Sequence, residues 1–158
     1  MYLNDIWSFY FHDPYNIDWN IDSFKFLQTI SSIDDFIHLF VCYKSVISRG
    51  MFFIMREHIL PLWEDKSNKN GGCFSYKIYR QNLEDKFFEI TSLLLGENLG
   101  INNEISKNIN GISICPKKNY YIIRIWIKDN KYAIKENYNI EIPRFTTILY
   151  KKHQQNEI

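Results

Sequence analysis

Two tryptophans in polar loops, one of them followed by a carboxylate, are the side chains of this sequence best suited to bind a ligand. Trp19 lies in an Asn- and Asp-rich turn, and Trp63 directly precedes Glu64 and Asp65. Indoles on separate loops can clamp a flat ring, most strongly a cationic one. A neighbouring carboxylate can accept two parallel N–H bonds, the pattern that guanine presents at N1 and N2. The alternative interpretation is that both loops fold back over the core.

Short apolar or alternating stretches predict the strands that carry these loops. They lie at residues 7–11, 23–30, 51–55, 73–79, 111–115, 120–128 and 143–150. The stretches at 111–115 and 120–128 flank a Pro-Lys-Lys-Asn turn and predict a hairpin. Trp126 falls inside the second of them, and a tryptophan in a strand is most often a core residue.

A capping box predicts the start of the first helix. Ser32 and Asp35 supply it, and apolar residues then recur at helical spacing to about Ile47, with Gly50 closing the helix.

The remaining polar segments predict a second helix, a connection and a short third helix. Asn82 caps the second helix and Gly96 ends it. Residues 102–110 are expected to be a polar connection, and residues 129–139 to hold the third helix. Because strands outnumber helices and their neighbours look antiparallel, the predicted class is α+β, one curved sheet covered on one face by helices.

The composition is that of one globular domain over residues 1–158, with a frayed polar tail at about 151–158. Hydrophobic residues make up 46% and charged residues 23%, and the net charge is +1. This excludes nucleic-acid binding by bulk charge, but not a pocket for a small piece of nucleic acid. Ala133 is the only alanine, whereas Asn, Ile, Lys, Tyr and Phe abound, which suits an A/T-rich protist or a large DNA virus. No signal peptide or membrane-length apolar run is visible, so we expect a cytoplasmic protein, in the host cytoplasm if it is viral.

No set of residues predicts catalysis or metal binding. Cys42, Cys73 and Cys115 lie far apart, without the spacing of a disulfide framework or a zinc site. Glu64 and Asp65 are adjacent, so on an extended stretch they point in opposite directions and make a poor acid–base pair. The histidines are scattered, at positions 12, 38, 58 and 153. We therefore expect a binding protein without enzymatic activity, cofactor or metal.

Several motifs in one order resemble the translation initiation factor 4E family. Residues 61–65 followed by 68–72 are similar to the cap-binding loop of that family. Further similarities are the first-strand aromatics Trp7, Tyr10 and Phe11, the helix segments 32–36 and 87–97, and a phosphate-binding hairpin at 111–117 and 125–126. The resemblance spans residues 7–126 and, more loosely, 143–150. It implies a cupped antiparallel sheet of about eight strands with about three helices on its convex face.

The resemblance also implies a role for each residue around the base. Trp19 and Trp63 would sandwich the base of the 7-methylguanosine cap of messenger RNA, whose methylation spreads positive charge over the ring. Glu64 would accept from N1 and N2, the backbone N–H of Trp63 would donate to O6, and Trp126 would pack near the methyl group. The implied function is recruitment of capped messenger RNA for translation initiation.

The cations expected at the cap phosphates depart from the family pattern. Lys117 matches the family's first phosphate-binding arginine, with Lys118 beside it, but the second basic position falls on Ile122. Arg124 lies two residues along the strand and hence on the same face as Trp126, so we hypothesise that it supplies the missing charge. The alternative is that Arg124 is solvated and that the two lysines suffice.

A docking surface for a scaffold-type initiation factor or an inhibitor peptide is also implied, on the helices. The tryptophan with which the family holds such partners falls on Ile37, which stays apolar but loses the indole N–H and much contact area. Ile33, Phe88, Glu89 and Gly96 match other partner-facing positions. We therefore expect a groove for an amphipathic helix, with altered partner binding.

Two other functions stay open from the sequence. The protein could bind caps but act as a competitor or repressor, because Ile37 weakens scaffold docking. It could instead be an aromatic carbohydrate-binding module, since sugars also stack on tryptophan but gain little from a ring cation. Comparing 7-methylguanosine triphosphate with plain GTP separates a carbohydrate module from a cap-binding protein.

Overall fold

Seven strands form one sheet in the computed structural model, which describes residues 1–142, 144 and 146–154. In chain order they are β1 (Tyr2–His12), β2 (Phe24–Ser32), β3 (Met51–Arg56), β4 (Gly72–Ile78), β5 (Ile109–Pro116), β6 (Tyr121–Ile127) and β7 (Leu149–Lys152). The sheet order is β2-β1-β3-β5-β6-β4-β7, and all neighbours are antiparallel. The predicted α+β class is confirmed, with one strand fewer among the described residues than the family resemblance implied.

The described residues also form the α-helices α1 (Ile33–Tyr43), α2 (Leu83–Leu95) and α3 (Asn103–Lys107). Ser32 caps α1 as predicted, because its hydroxyl accepts from the Asp35 N–H at 3.1 Å. The predicted end of this helix was wrong. It ends at Tyr43, and Gly50 follows a separate 3-10 turn, Ile47–Arg49. No helix in the described part of the chain is long and apolar enough to span a bilayer.

Polar segments account for the other departures from the predicted elements. Asn82 precedes α2, but its side chain makes no capping hydrogen bond. Residues 102–110 hold α3, which starts where Asn102 Oδ1 accepts from the Ile105 N–H at 2.9 Å. Residues 129–139 form two 3-10 turns, Asn130–Tyr132 and Lys135–Asn137, in place of the third predicted helix.

The last strand lies further along the chain than predicted. β7 pairs with β4, with Lys151 opposite Cys73, so it includes residues 151 and 152 of the predicted frayed tail. Gly72 permits this pairing, since a Cβ at that position would collide with the Lys151 carbonyl oxygen. Pro143, where the predicted strand begins, and tail residues 155–158 lie outside the described residues.

The sheet is apolar on both faces, and the helices cover one of them. The larger cluster joins strand residues such as Phe52 and Ile54 to Phe36 of α1 and to Phe87 and Leu94 of α2. The second cluster takes its residues from strands and loops: Phe24, Met51, Phe53, Met55, Ile59, Cys73, Cys115 and Trp126. β3 serves both clusters because successive strand residues point to opposite faces. The helix-free face is therefore where a ligand can meet apolar surface.

One buried cation ties the strands to the helical side of the molecule. Arg56 of β3 donates to Glu97, beyond α2, at 2.7 and 2.9 Å, and to Asp5 of β1 at 2.8 Å. It also donates to two main-chain oxygens, and its guanidinium lies 4.4 Å from the centre of the Trp7 ring. The charge is therefore both paired and fully hydrogen-bonded, which a buried guanidinium requires.

Candidate functional site

A cavity of about 630 Å³ opens on the helix-free face of the sheet. Its walls combine strand side chains of the second apolar cluster with residues of two loops. All but one of the residues predicted to bind the base and the phosphates line it: Trp19, Trp63, Glu64, Lys117, Arg124 and Trp126. Lys118, on the turn between β5 and β6, does not line this cavity.

Strand register brings the floor of the cavity together. Trp126 of β6 stands opposite Cys73 of β4, and Arg124 stands opposite Ser75 of β4 and Ser113 of β5. Paired residues of antiparallel strands project to one face, so Arg124 and Trp126 face the cavity together, as alternation predicts. The Trp126 Nε1–H donates to Ser113 Oγ at 3.1 Å, which fixes the plane of the indole.

The cations of the cavity are not neutralised by protein groups. Burial raises the pKa of the Cys73 thiol to about 12, with the Arg124 guanidinium acting in the opposite direction. Cys73 is therefore a neutral thiol at neutral pH. The salt bridges formed within the described residues do not involve Lys117 or Arg124. Both charges are thus available to an anion.

Asp65 shapes the loop that carries Trp63. Its Oδ2 accepts from the Leu60 N–H at 3.1 Å, and its Oδ1 accepts from the Ser67 N–H at 2.8 Å. These bonds hold the turn from both sides. Asp65 is therefore a structural residue, and Glu64 is the exposed carboxylate that the loop presents to the cavity.

Two buried asparagines attach this loop to the sheet. The Asn68 amide donates to the carbonyl oxygens of Leu60 and Leu62 at 3.0 and 2.8 Å. Asn110 of β5 donates to the Ser67 carbonyl oxygen at 2.7 Å and to Asn68 Oδ1 at 2.8 Å. The sequence analysis missed both residues, because an asparagine in a polar loop gives no sign of the distant strand that it contacts.

Trp19 and Trp63 keep much of their surface in solvent. They are 50% and 45% exposed, so these loops do not bury their indoles in the core. One face of Trp19 is covered by the His12 ring, with centroids 4.0 Å apart and planes inclined by 3°. The opposite face is the one that a ligand can reach.

The structure adds three residues that the sequence analysis assigned to the tail. Lys151, Lys152 and His153 all line the cavity. The His153 ring lies 5.1 Å from the Trp126 ring, and burial lowers the pKa of this histidine to about 4. His153 is therefore neutral at neutral pH, while the two lysines bring further positive charge. Only the pairing of β7 with β4, which is not visible in the local sequence, reveals them.

The predicted partner-facing residues lie on the helical side. Ile33 and Ile37 of α1 and Phe88 of α2 are all exposed apolar side chains. The Phe88 ring contacts two phenylalanines of α1, with centroids 5.2 and 4.8 Å apart, so the two helices share one apolar strip. Glu89 pairs with a lysine of its own helix at 3.3 Å, and Gly96 caps α2.

The architecture and this cavity describe a ligand-binding module built on one side of a cupped sheet. A family model described as Eukaryotic initiation factor 4E matches residues 2–157. The chain therefore belongs to the eukaryotic initiation factor 4E family, as its motifs predict.

Curated relatives include viral and animal proteins. A eukaryotic translation initiation factor 4E homolog of Acanthamoeba polyphaga mimivirus is 32% identical over 105 residues, which cover 57% of this chain and 39% of that protein. The eukaryotic translation initiation factor 4E of Aplysia californica is 25% identical over 166 residues, which cover 96% of this chain and 75% of the relative. The matched region is thus well under half of the viral relative but most of the animal one.

Solved structures agree in fold. A complex of Ascaris suum eIF4E-3 with an m2,2,7G cap has a TM-score of 0.80 at 19% identity, covering 99% of this chain and 93% of that one. Schistosome eIF4E complexed with m7GpppG and 4E-BP has a TM-score of 0.77 at 21% identity, covering 95% and 87%. These similarities confirm the expected cupped architecture.

The asparagine pair predicts a stability effect. Asn68→Ala leaves two loop carbonyls and one Asn110 N–H without partners, so the free energy of unfolding should fall by about 2–4 kcal/mol. Denaturant titration measures it. The control is Asn119→Ala, on an exposed turn, which should stay within about 0.5 kcal/mol of wild type. An unchanged unfolding midpoint for Asn68→Ala would contradict the role given to the pair.

Proposed function

We propose that this protein binds the 7-methylguanosine 5′ cap of messenger RNA and supports translation initiation by recruiting capped messages. The observation that carries the proposal is the meeting of two half-exposed indoles from separate loops, Trp19 and Trp63, on one cavity with Glu64 and several cations. Membership of the initiation factor 4E family supports it, as do fold relatives described as complexes with cap ligands.

The methylated base stacks between the two indoles. A cationic ring gains about 0.5–2 kcal/mol on an aromatic face beyond ordinary stacking, so the clamp prefers the methylated base to plain guanine. Glu64 accepts from N1 and N2, the Trp63 backbone N–H donates to O6, and Trp126 lies against the methyl group. The fixed plane of Trp126, held by Ser113, supports this last contact.

The triphosphate lies against the cations at the other side of the cavity. Lys117 and Arg124 are the principal partners, since both line the cavity and neither forms a salt bridge within the described residues. Lys151 and Lys152 add charge from β7. Lys118 drops out of the phosphate site, because it does not line the cavity.

The apolar strip of α1 and α2 takes an amphipathic helix of a scaffold-type initiation factor or an inhibitor. The exposed side chains of Ile33, Ile37 and Phe88 support this, as does a fold relative described as a complex with 4E-BP. Isoleucine at position 37 makes this docking weaker than an indole would, because it offers less area and no N–H donor.

The protein acts by binding alone, in the cytoplasm, where messages are translated. Within the residues that the structure describes, no group of three or more His, Cys, Asp or Glu side chains could hold a metal ion. The residues of the cavity have an evident use in stacking, hydrogen bonding and charge neutralisation of a nucleotide.

The clamp predicts a preference for the methylated base. Calorimetric titration should give tighter binding of 7-methylguanosine triphosphate than of GTP. Trp63→Ala and Glu64→Gln should each weaken the methylated ligand by about tenfold or more. The matched controls Tyr79→Ala and Glu136→Gln change exposed residues of the same types outside the cavity and should bind normally. Equal, weak binding of both nucleotides would favour a carbohydrate module instead.

Arg124 predicts a defect confined to the phosphates. Arg124→Ala should weaken 7-methylguanosine triphosphate by about tenfold, because a charge-assisted hydrogen bond is lost, and should leave the uncharged-tail ligand 7-methylguanosine unaffected. Lys118→Ala is the control and should bind both ligands as wild type does. Wild-type triphosphate affinity in Arg124→Ala would show that Arg124 is merely solvated.

The helical strip predicts partner binding that depends on Ile37. A tyrosine-containing scaffold-type peptide should bind the wild-type protein, and Ile37→Asp should abolish the complex by placing a charge in an apolar contact. His38→Asp adds the same charge at the next, exposed position and should bind normally. Fluorescence anisotropy of a labelled peptide measures both. If the wild-type protein fails to bind the peptide while binding caps, it is a competitor or repressor.

A further inference from the structure

We propose that His12 is a positioning residue behind Trp19 whose protonation weakens the binding of a cationic base. The inference rests on the proposed cap binding. It concerns the face of Trp19 turned away from the ligand, where the sequence analysis assigned no role to any residue.

The contacts of His12 place it as a rear support for the indole. The residue is fully buried, and its ring lies parallel to the Trp19 ring at 4.0 Å. Phe24 meets the same imidazole edge-on at 4.8 Å, and His12 Nε2 lies 2.7 Å from the Asp18 carbonyl oxygen, one residue before Trp19. Ring and backbone contacts therefore both tie the Trp19 loop to β1.

These contacts define a neutral imidazole. A carbonyl oxygen can only accept, so Nε2 carries the hydrogen that it donates to Asp18. Nδ1 is buried and has no hydrogen-bond partner, so it holds a bare lone pair. A proton added at Nδ1 of His12 would create a buried N–H⁺ with no acceptor, which the present arrangement cannot satisfy.

The groups packed around the imidazole do not offset such a charge. Met51 stands opposite His12 in β3 and does not titrate, like the rings of Trp19 and Phe24. Lys25 of β2 pairs with the residue before His12 and so projects from the other face of the sheet. The carboxylates of the loop, Asp13 and Asp18, belong to exposed residues, and Asp13 already accepts from a loop N–H at 2.9 Å.

Two consequences of protonation act in the same direction. An imidazolium behind Trp19 draws on the indole π-density and repels a cation stacked on the far face. The unsatisfied N–H⁺ of His12 also disrupts the stack that holds the indole. Acidification should therefore weaken binding of the methylated base, and by linkage the bound base should oppose protonation of His12.

The test compares pH profiles of wild type and His12→Phe. Phenylalanine keeps a flat ring behind Trp19 but cannot be protonated. Calorimetric titration with 7-methylguanosine triphosphate from about pH 8 to about pH 5 spans the usual histidine range. Across it the wild-type affinity should fall about threefold more than that of His12→Phe. Titration of the ligand and of Glu64 is common to both proteins and cancels in the ratio.

Two histidines serve as controls. His153 has a pKa lowered to about 4 by burial, so it stays neutral over this range. His58 is exposed and outside the cavity, so His58→Phe should follow the wild-type profile. Superimposed profiles for wild type and His12→Phe would overturn the inference.

A second measurement needs no variant and decides the matter if His12→Phe does not fold. NMR titration of the His12 imidazole in the wild-type protein should give a midpoint that moves to lower pH when 7-methylguanosine triphosphate is bound. An unchanged midpoint overturns the inference while leaving cap binding intact. Absence of any binding of this ligand at neutral pH would overturn the proposed function itself, and the inference with it.

Discussion

The amide of Asn110 makes the contact on which the site depends. It donates two hydrogen bonds across 42 and 43 residues of sequence, to Asn68 and to Ser67, and so joins a polar loop to a central strand. A loop with so few apolar side chains cannot be fixed by burial, and buried polar bonds take the place of a hydrophobic anchor. The distance between the Trp63 loop and the Trp126 floor is set through this one attachment.

The two faces of the sheet treat charge in opposite ways. On the helical side, Arg56 is buried and satisfied by Glu97 and Asp5, so it contributes to the fold and offers nothing to a ligand. On the cavity side, Arg124 and Lys117 form no salt bridge within the described residues. A chain of net charge +1 thereby concentrates a positive field in one concave place, which is where clefts amplify it.

Local patterns predicted what local forces determine. Alternation located β3 and the shared face of Arg124 and Trp126, and the Ser32 cap located the start of α1, because each depends on near neighbours in sequence. Long-range pairing determined the rest. His12 reaches Trp19 only because the loop returns to β1, and Lys151, in a segment predicted to be frayed, reaches the cavity only because β7 pairs with β4. No residue near either position in the sequence announces those contacts.

The order of the strands has a kinetic meaning. β3 and β4 are consecutive in the chain, yet β5 and β6 lie between them in the sheet. The segment 57–71 therefore bridges two strands that come later in the sequence, and pairings of that kind close slowly. Until β5 arrives, the loop has no surface on which to settle. Competence to hold a nucleotide is thus acquired at the end of folding, and an intermediate whose helices are already packed would be blind to RNA.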